Sequence, residues 1–400
     1  MRATPLSDYT NLVHSEENTV TVEGSSTARF EPVRAALSAH LESGEELGAS
    51  IAIDVDGVLE VDIWGGHGDA ARTVPWRKDT LVGLWSTTKT LSSLAALILV
   101  DRGSLDLCRP VAEYWPEFAA QGKQHIEVRH VLAHTSGLSG WQQPFSMDDL
   151  YDWPTASARL AGQAPWWEPG SASGYHMQTQ GQLVGELVRR VSGRTLTDFV
   201  DTEIAKPLEA DVQIGAREAD WPRIAELVPP SQLPQGLADL DPERIFTKTL
   251  LGSPARDEHV DTPQWRRAEL GAVNGYGNAR GLARALSVIS RRGKVNGLRL
   301  LSSDTVDKIF DVQADGVDLF LGIPVRWGMG YALADPRTMP HMPTGTVCFW
   351  VGRGGSIVMM DLDRRITFAY TMNRLGDGIL GSERTHSYIK HVDEALGSSN

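Results

Sequence analysis

An apolar run free of Pro and Gly, Leu91 to Val100, follows directly on Leu84-Trp85-Ser86-Thr87-Thr88-Lys89 and stops at Asp101-Arg102-Gly103. The run predicts a helix closed by a glycine C-cap, with Thr80 to Leu84 reading as a strand that leads into it. Ser86 then stands in the first helical turn, and Lys89, three residues on, shares its face. A serine hydroxyl is nearly inert at neutral pH until a neighbour takes its proton, and an amine does this only when burial or a second polar partner lowers its pKa. The helix N-terminus adds backbone N–H groups and a positive partial charge where an oxyanion would form. The Ser-x-x-Lys spacing alone is weak, since Ser387-Tyr388-Ile389-Lys390 repeats it in a polar C-terminal helix pattern with neither strand nor apolar run beside it. An ordinary helix start with a solvated lysine explains the first match equally well, so the rest of the chain must decide.

Four hundred residues suffice for one large domain or two. The net charge of −13 argues against nucleic acid or an anionic membrane as principal partner and reads as an acidic solubility surface. The polar N-terminus predicts no signal peptide, Leu91 to Val100 is too short to span a bilayer, and a cytoplasmic location is the default expectation. Cys108 and Cys348 stand in neither a disulfide framework nor a metal-type spacing. The eleven histidines are scattered and no HExxH occurs, so no metal and no cofactor is expected.

Along the chain, Phe30 to Ser43 has helical periodicity, and Ala49 to Val55 with Val58 to Trp64 form two alternating runs joined by Asp56-Gly57, a hairpin signal. From Leu105 to about Pro263 the composition turns to helices and Trp- and Pro-rich loops: Val128 to His134, Gly181 to Ser192 and Leu196 to Ile204 read as helices, and Ala216 to Pro263 as mostly loop, of a length that usually covers a site or contacts a partner. Gly281 to Ser290 is helical, Ser356 to Asp361 and Ile366 to Asn373 return to strand pattern around Leu362-Asp363-Arg364-Arg365, and a polar amphipathic helix closes the chain. Strand-forming sequence at both ends predicts an antiparallel sheet flanked by helices, an α/β unit of residues 29–104 and 270–400, with an all-α domain inserted over 105–269 and a tail over 1–28.

Tyr175 lies at a loop-to-helix junction in Gly174-Tyr175-His176-Met177. Such a tyrosine is usually a packing residue, yet beside a Ser/Lys pair a phenol can share the proton. Gly352-Arg353-Gly354-Gly355-Ser356 opens a strand, and its glycines allow close backbone approach to a ligand, or simply a flexible turn. There is no GxSxG elbow, and Gly275 to Gly281 has the wrong glycine spacing for a dinucleotide loop. His134 and His176 read as structural rather than catalytic.

These pieces, in this order, resemble one family: Ser86-Thr87-Thr88-Lys89, His134-Thr135-Ser136-Gly137-Leu138, the Tyr175 motif, Asn274-Gly275-Tyr276-Gly277-Asn278-Ala279-Arg280, and Trp350-Val351-Gly352 leading into Gly354-Gly355-Ser356. The chain is similar to the class C serine β-lactamases, the penicillin-binding proteins and the related carboxylesterases, over roughly Phe30 to Leu396. The resemblance implies a β-lactamase/transpeptidase-like fold, Ser86 as acylated nucleophile, and Lys89 and Tyr175 exchanging its proton. It further implies an oxyanion hole made by the backbone N–H groups of Ser86 and Arg353. Where these β-lactamases carry an asparagine after the tyrosine and Lys-Thr-Gly as third motif, this chain has Met177 and Trp350-Val351-Gly352. The site is thereby more apolar and lacks the cation expected for a β-lactam carboxylate, a pattern like that of the family VIII carboxylesterases.

The expectation is therefore a serine carboxylesterase taking a small-molecule ester or acyl substrate. Trp350, Gly352, Trp85, His176 and Met177 are the candidates for contacting it, and Trp141, Trp166 and Trp167 also lie near the motifs. Transfer to an alcohol acceptor, amide cleavage, or a non-catalytic binding role on the same scaffold are the alternatives.

Overall fold

The computed structural model describes residues 21–230 and 241–397. The first hairpin pairs Gly48–Val55 with Val58–Gly66, Val55 opposite Val58. Both turn residues, Asp56 and Gly57, have positive φ (50° and 91°), the conformation that matches the right-handed twist of the flanking strands. At the other end of the chain, Val347–Val351, Ile357–Asp361 and Ile366–Met372 form an antiparallel meander. Its last strand pairs with the first hairpin, Ile366 opposite Val55 and Met372 opposite Ala49, so the two ends of the chain share one sheet.

Among the described residues that sheet has nine strands, in the order Glu23–Ser26, Val58–Gly66, Gly48–Val55, Ile366–Met372, Ile357–Asp361, Val347–Val351, Ala332–Leu333, Pro324–Trp327 and Ala314–Val317. Every neighbouring pair is antiparallel. The tail expected over residues 1–28 is corrected in part: residues 1–20 lie outside the described residues, but Glu23–Ser26 is an edge strand on Val58–Gly66.

Alternation assigns the two faces. Thr367 hydrogen-bonds Ser290 at 2.8 Å and Thr371 hydrogen-bonds Ser50 at 2.8 Å, both toward the helix Ala279–Ser290. Tyr370, between them, packs its ring on Tyr388 of the closing helix Glu383–Ala395, 4.9 Å between centroids. The strand Ile366–Met372 is buried along its whole length because helices cover both faces. The helix Glu31–Ser43 lies beside Glu383–Ala395.

Between the two sheet-forming ends stand the helices Val128–Leu132, Met147–Tyr151, Trp153–Gly162, Thr179–Ser192 and Leu196–Val200. Thr179–Ser192 packs along the helix Thr88–Asp101. A small second sheet joins Val82–Gly83, Gly275–Gly277 and Val212–Ile214, so the glycines of 275 to 281 belong to a strand and the helix that follows it. The expected loop over 216–263 contains a helix, Ile245–Leu251, and two 3-10 turns, Glu218–Arg223 and Asp257–His259; residues 231–240 lie outside the described residues. No helix among the described residues is long and apolar enough to cross a membrane.

The closing helix is tied down by a buried charge. Glu46 is 1% exposed and accepts hydrogen bonds from Tyr370, Tyr388 and Arg384, while Arg384 also donates to the carbonyls of Glu45 and Arg374. Burial holds the Glu46 carboxyl above its usual range, with Arg384 opposing that shift. Removing one partner of such a pair leaves a buried charge unmatched. Arg384→Ala is expected to lower the unfolding free energy by about 3–5 kcal/mol, measured by urea titration, with Glu46→Gln costing less because it keeps an acceptor for the two phenols.

Candidate active site

Ser86 enters the site on a strained turn. Trp85, just before it, has φ of 47°, a left-handed conformation that a bulky residue holds only under tertiary constraint. Packing on Trp265, 5.6 Å between ring centroids, supplies that constraint. Ser86 lies in a 3-10 turn, Trp85–Thr87, and not in the first turn of an α-helix as expected; the α-helix runs Thr88–Asp101. That helix is buried from Thr88 to Leu99, on its polar as well as its apolar side, so its hydroxyls must find partners inside the protein. Thr88 accepts from Gly275 N–H at 2.8 Å, Ser92 donates to Gly271 at 2.5 Å and Ser93 donates to Gly330 at 3.0 Å.

The same helix buries Lys89, which is 1% exposed. Its amine meets three oxygens: Ser86 Oγ at 3.1 Å and the carbonyls of Met177 at 2.7 Å and Ala272 at 3.0 Å. Burial lowers its pKa well below the usual lysine value. A neutral amine has two N–H groups, and the two carbonyls take both. The remaining lone pair is left to Ser86 Oγ, which is the geometry of a base taking a hydroxyl proton.

Tyr175 lies beside this pair. Its ring stands 4.8 Å from the Lys89 nitrogen, and its hydroxyl accepts from Trp350 Nε1 at 3.1 Å and interacts with Ser86. Burial raises the phenol's pKa above the usual tyrosine value, so it stays protonated in the resting site. Aromatic rings surround it: Trp350 at 5.0 Å, His134 at 5.0 Å and Trp327, stacked parallel, at 6.1 Å.

The turn from His134 to Gly137 clamps the tyrosine loop. His134 has φ of 60° and accepts from Gly174 N–H at its carbonyl and from His176 N–H at Nδ1. His176 is fully buried; Nδ1 lies 2.6 Å from the Gly174 carbonyl and therefore carries the hydrogen, leaving Nε2 to accept from Ser136 Oγ at 2.6 Å. Burial pushes the His176 pKa down to about 3 and lowers that of His134 well below the usual value, so both rings are neutral.

Gly352 ends the strand Val347–Val351 against the nucleophile turn. A Cβ there would stand 2.4 Å from the Leu84 carbonyl and 2.3 Å from Ser356 Oγ, so only glycine lets the strand come this close. Ser356 donates to the same Leu84 carbonyl and bonds Thr87 Oγ1 at 3.0 Å. This seam sets the chain at Arg353 beside the Ser86 turn. The Arg353 guanidinium is drawn to Asp257 by two 2.6 Å bonds, and its side chain is thus committed to the 3-10 turn at 257–259.

The structure thus brings Ser86, Lys89, Tyr175, Trp350, Met177 and the Gly352-Arg353 backbone together. The residues expected to contact a substrate also fall around this cluster. Trp85, His176 and Trp350 are 5%, 0% and 3% exposed and Gly352 is buried, a burial they share with Lys89 and Tyr175. They support the strained turn, the tyrosine loop, the phenol and the close strand approach, respectively. Met177 is half-buried and meets Lys89 through its carbonyl. Sequence reading missed Ala272, Trp327 and Asp318. The last accepts from Tyr175 N–H at 2.9 Å across 143 residues, a separation that leaves no local signal. Among the described residues no group of three or more His, Cys, Asp or Glu could hold a metal ion.

A serine on the turn that leads into a buried helix, beside a buried lysine and a phenol at the edge of a helix-covered antiparallel sheet, defines an enzyme of the serine β-lactamase-like class. The chain belongs to the Beta-lactamase family, whose model matches residues 33–388. It is 33% identical over 367 residues to the esterase/beta-lactamase LipL of Mycobacterium tuberculosis, covering 88% of this chain and 83% of that protein. Its structure is similar to that of a family VIII carboxylesterase, with a TM-score of 0.88 and 32% identity over 94% of this chain and all of the other. A penicillin-binding protein homologue from Caulobacter crescentus is also similar, with a TM-score of 0.87 and 34% identity over the same 94% of this chain and 100% of that one.

The neutral histidine makes acid a stress on this fold. With a folded pKa of about 3 against about 6.5 when unfolded, His176 takes up a proton only in the unfolded chain as the pH falls between those values. It therefore contributes stability that declines from about pH 6.5 toward 3. The stability-against-pH slope over this range is expected to be steeper in the wild type than in His176→Gln by up to about 1.4 kcal/mol per pH unit, read from urea titrations at successive pH values.

Proposed function

We propose that this chain is a serine carboxylesterase that cleaves ester substrates through an acyl-Ser86 intermediate. The observation that carries the reading is the buried Lys89 amine with both N–H groups held by carbonyls and its third contact on Ser86 Oγ. In acylation Lys89 takes the Ser86 proton as Oγ attacks the ester carbonyl, and the backbone N–H groups of Ser86 and Arg353 receive the oxyanion. The carbon–oxygen bond to the alcohol then breaks, and the departing oxygen takes the phenolic proton of Tyr175. The ammonium on Lys89, above the Tyr175 ring, offsets the phenolate charge. In deacylation that phenolate takes a proton from water, the hydroxide attacks the acyl carbonyl, and Lys89 returns its proton to Ser86 Oγ.

Two features favour esters over β-lactams. Trp350 stands where the resemblance places the carboxylate-binding lysine, and its indole N–H is spent on the Tyr175 hydroxyl. Arg353, the nearest cation in sequence, is paired with Asp257. The similarity to the esterase/beta-lactamase LipL and to a family VIII carboxylesterase supports the same reading.

Intact-mass and absorbance time courses with p-nitrophenyl esters test it. An acyl adduct is expected on the wild type and none on Ser86→Ala, while Lys89→Met and Tyr175→Phe each lose roughly 100- to 10,000-fold in turnover. Turnover by Ser86→Ala would overturn the mechanism, and an adduct cleared only by an added alcohol would make the chain an acyltransferase. Because the neutral Lys89 amine is the active form and its pKa is lowered, acylation is expected to rise with pH along a limb lying well below the ordinary lysine range.

A further inference from the structure

The mechanism leaves unused a buried acid that faces the tyrosine loop. Asp318 is 0% exposed and sits at the head of a tight turn, with its backbone N–H donating to Ile323 and its carbonyl accepting from Gly322. One carboxylate oxygen, Oδ1, accepts three backbone N–H bonds: from Tyr175 at 2.9 Å, Phe320 at 3.0 Å and Leu321 at 3.0 Å. The other, Oδ2, faces Trp327 Nε1 at 3.4 Å. Leu319 N–H adds a 2.8 Å bond to the Ser173 carbonyl, so the 318–321 turn grips the tyrosine loop on both sides of Gly174.

Three of the four groups Asp318 holds belong to Tyr175 itself or to rings beside it. Trp327 stacks parallel to the Tyr175 ring and packs on Trp350, the donor to the phenol oxygen, at 4.7 Å between centroids. Phe320 lies 6.3 Å from the Tyr175 ring and stacks on Phe246 at 5.4 Å. A fold that needed only a turn at 318 could close it with backbone bonds or with a small polar side chain at the surface. Burying a carboxylate instead is costly unless several donors compensate it, and here four N–H groups do so.

We propose that Asp318 is a positioning residue for Tyr175, setting the phenol where it can protonate the leaving alcohol. The proposal rests on the reading of Tyr175 as the leaving-group acid.

A residue acting through the leaving-group acid has a signature that a merely structural residue lacks: its loss matters in proportion to how badly the leaving group needs a proton. Asp318→Asn keeps an oxygen for the three backbone N–H groups and removes the charge and the acceptor facing Trp327, so it is the variant of choice. We expect kcat/KM, which reports acylation and not the deacylation step common to both esters, to fall by about 10- to 100-fold on an alkyl ester, whose alkoxide is a poor leaving group. With the matching p-nitrophenyl ester, whose phenolate leaves unaided, the loss is expected to stay within about threefold. Tyr175→Phe should show the same selectivity more strongly, and adding Asp318→Asn to Tyr175→Phe should cost little further. Equal losses of Asp318→Asn on both esters, no loss on either, or full additivity with Tyr175→Phe would overturn the assignment. If Tyr175→Phe is itself unselective, the role given to Tyr175 has failed first, and the assignment of Asp318 falls with it. Circular dichroism and the melting temperature of Asp318→Asn separate these outcomes from a folding defect.

Discussion

The structure depends on hiding one amine from water. Burying Lys89 among apolar side chains is unfavourable for its charged form, and only groups that satisfy its N–H bonds make the arrangement tolerable. Those groups are carbonyls 88 and 183 residues further along the chain, at Met177 and Ala272. The helical middle and the junction before the small sheet must both close on the Ser86 helix before the amine has its partners. Glycines make the closure tight enough: a Cβ at Gly181 would stand 2.1 Å from the Ala272 nitrogen, and one at Gly275 would stand 2.6 Å from Thr88 Oγ1. The hydroxyls spaced along the helix then tie each incoming segment in place.

The burial that lowers the amine's pKa raises that of the phenol next to it. One apolar environment therefore favours the neutral form of both groups. The neutral histidines belong to the same design. His134 and His176 hold the tyrosine loop through ring nitrogens and backbone, and as neutral rings they add no cation next to Lys89. Trp350 contributes an N–H where a lysine would have brought a charge, and the site keeps its low polarity.

Much of this was legible in the chain itself, for reasons that are local. The Asp56-Gly57 hairpin, the Leu362 to Arg365 turn and the apolar helix after Lys89 announce themselves because turn residues and periodicity act over a few residues. Ser86, Lys89 and Tyr175, which the fold brings together, each stand in a short motif. The four strands Ala314–Val317, Pro324–Trp327, Ala332–Leu333 and Val347–Val351 were harder to read. The first three hold two to four residues each, interrupted by Asp, Gly and Pro, and extended pairing there follows from the neighbouring strands and not from propensity.

The sequence by itself determined which groups are present to react and on which local elements they ride, because a three-residue helical spacing or a two-residue turn is a property of a few adjacent side chains. Only the tertiary structure decided what those groups are. Whether Lys89 is a solvated cation or a buried base, and whether Trp85, His176 and Trp350 touch a substrate or brace the site, depends on which distant segments cover them. The same is true of Asp318, an unremarked acid in sequence that takes a place at Tyr175 because folding removes water from both and leaves the carboxylate only backbone and indole N–H groups to meet. Desolvation and the decisive hydrogen-bond partners, such as Met177 and Ala272 for Lys89 and Tyr175 for Asp318, come from segments far apart in the chain, and no local pattern encodes them.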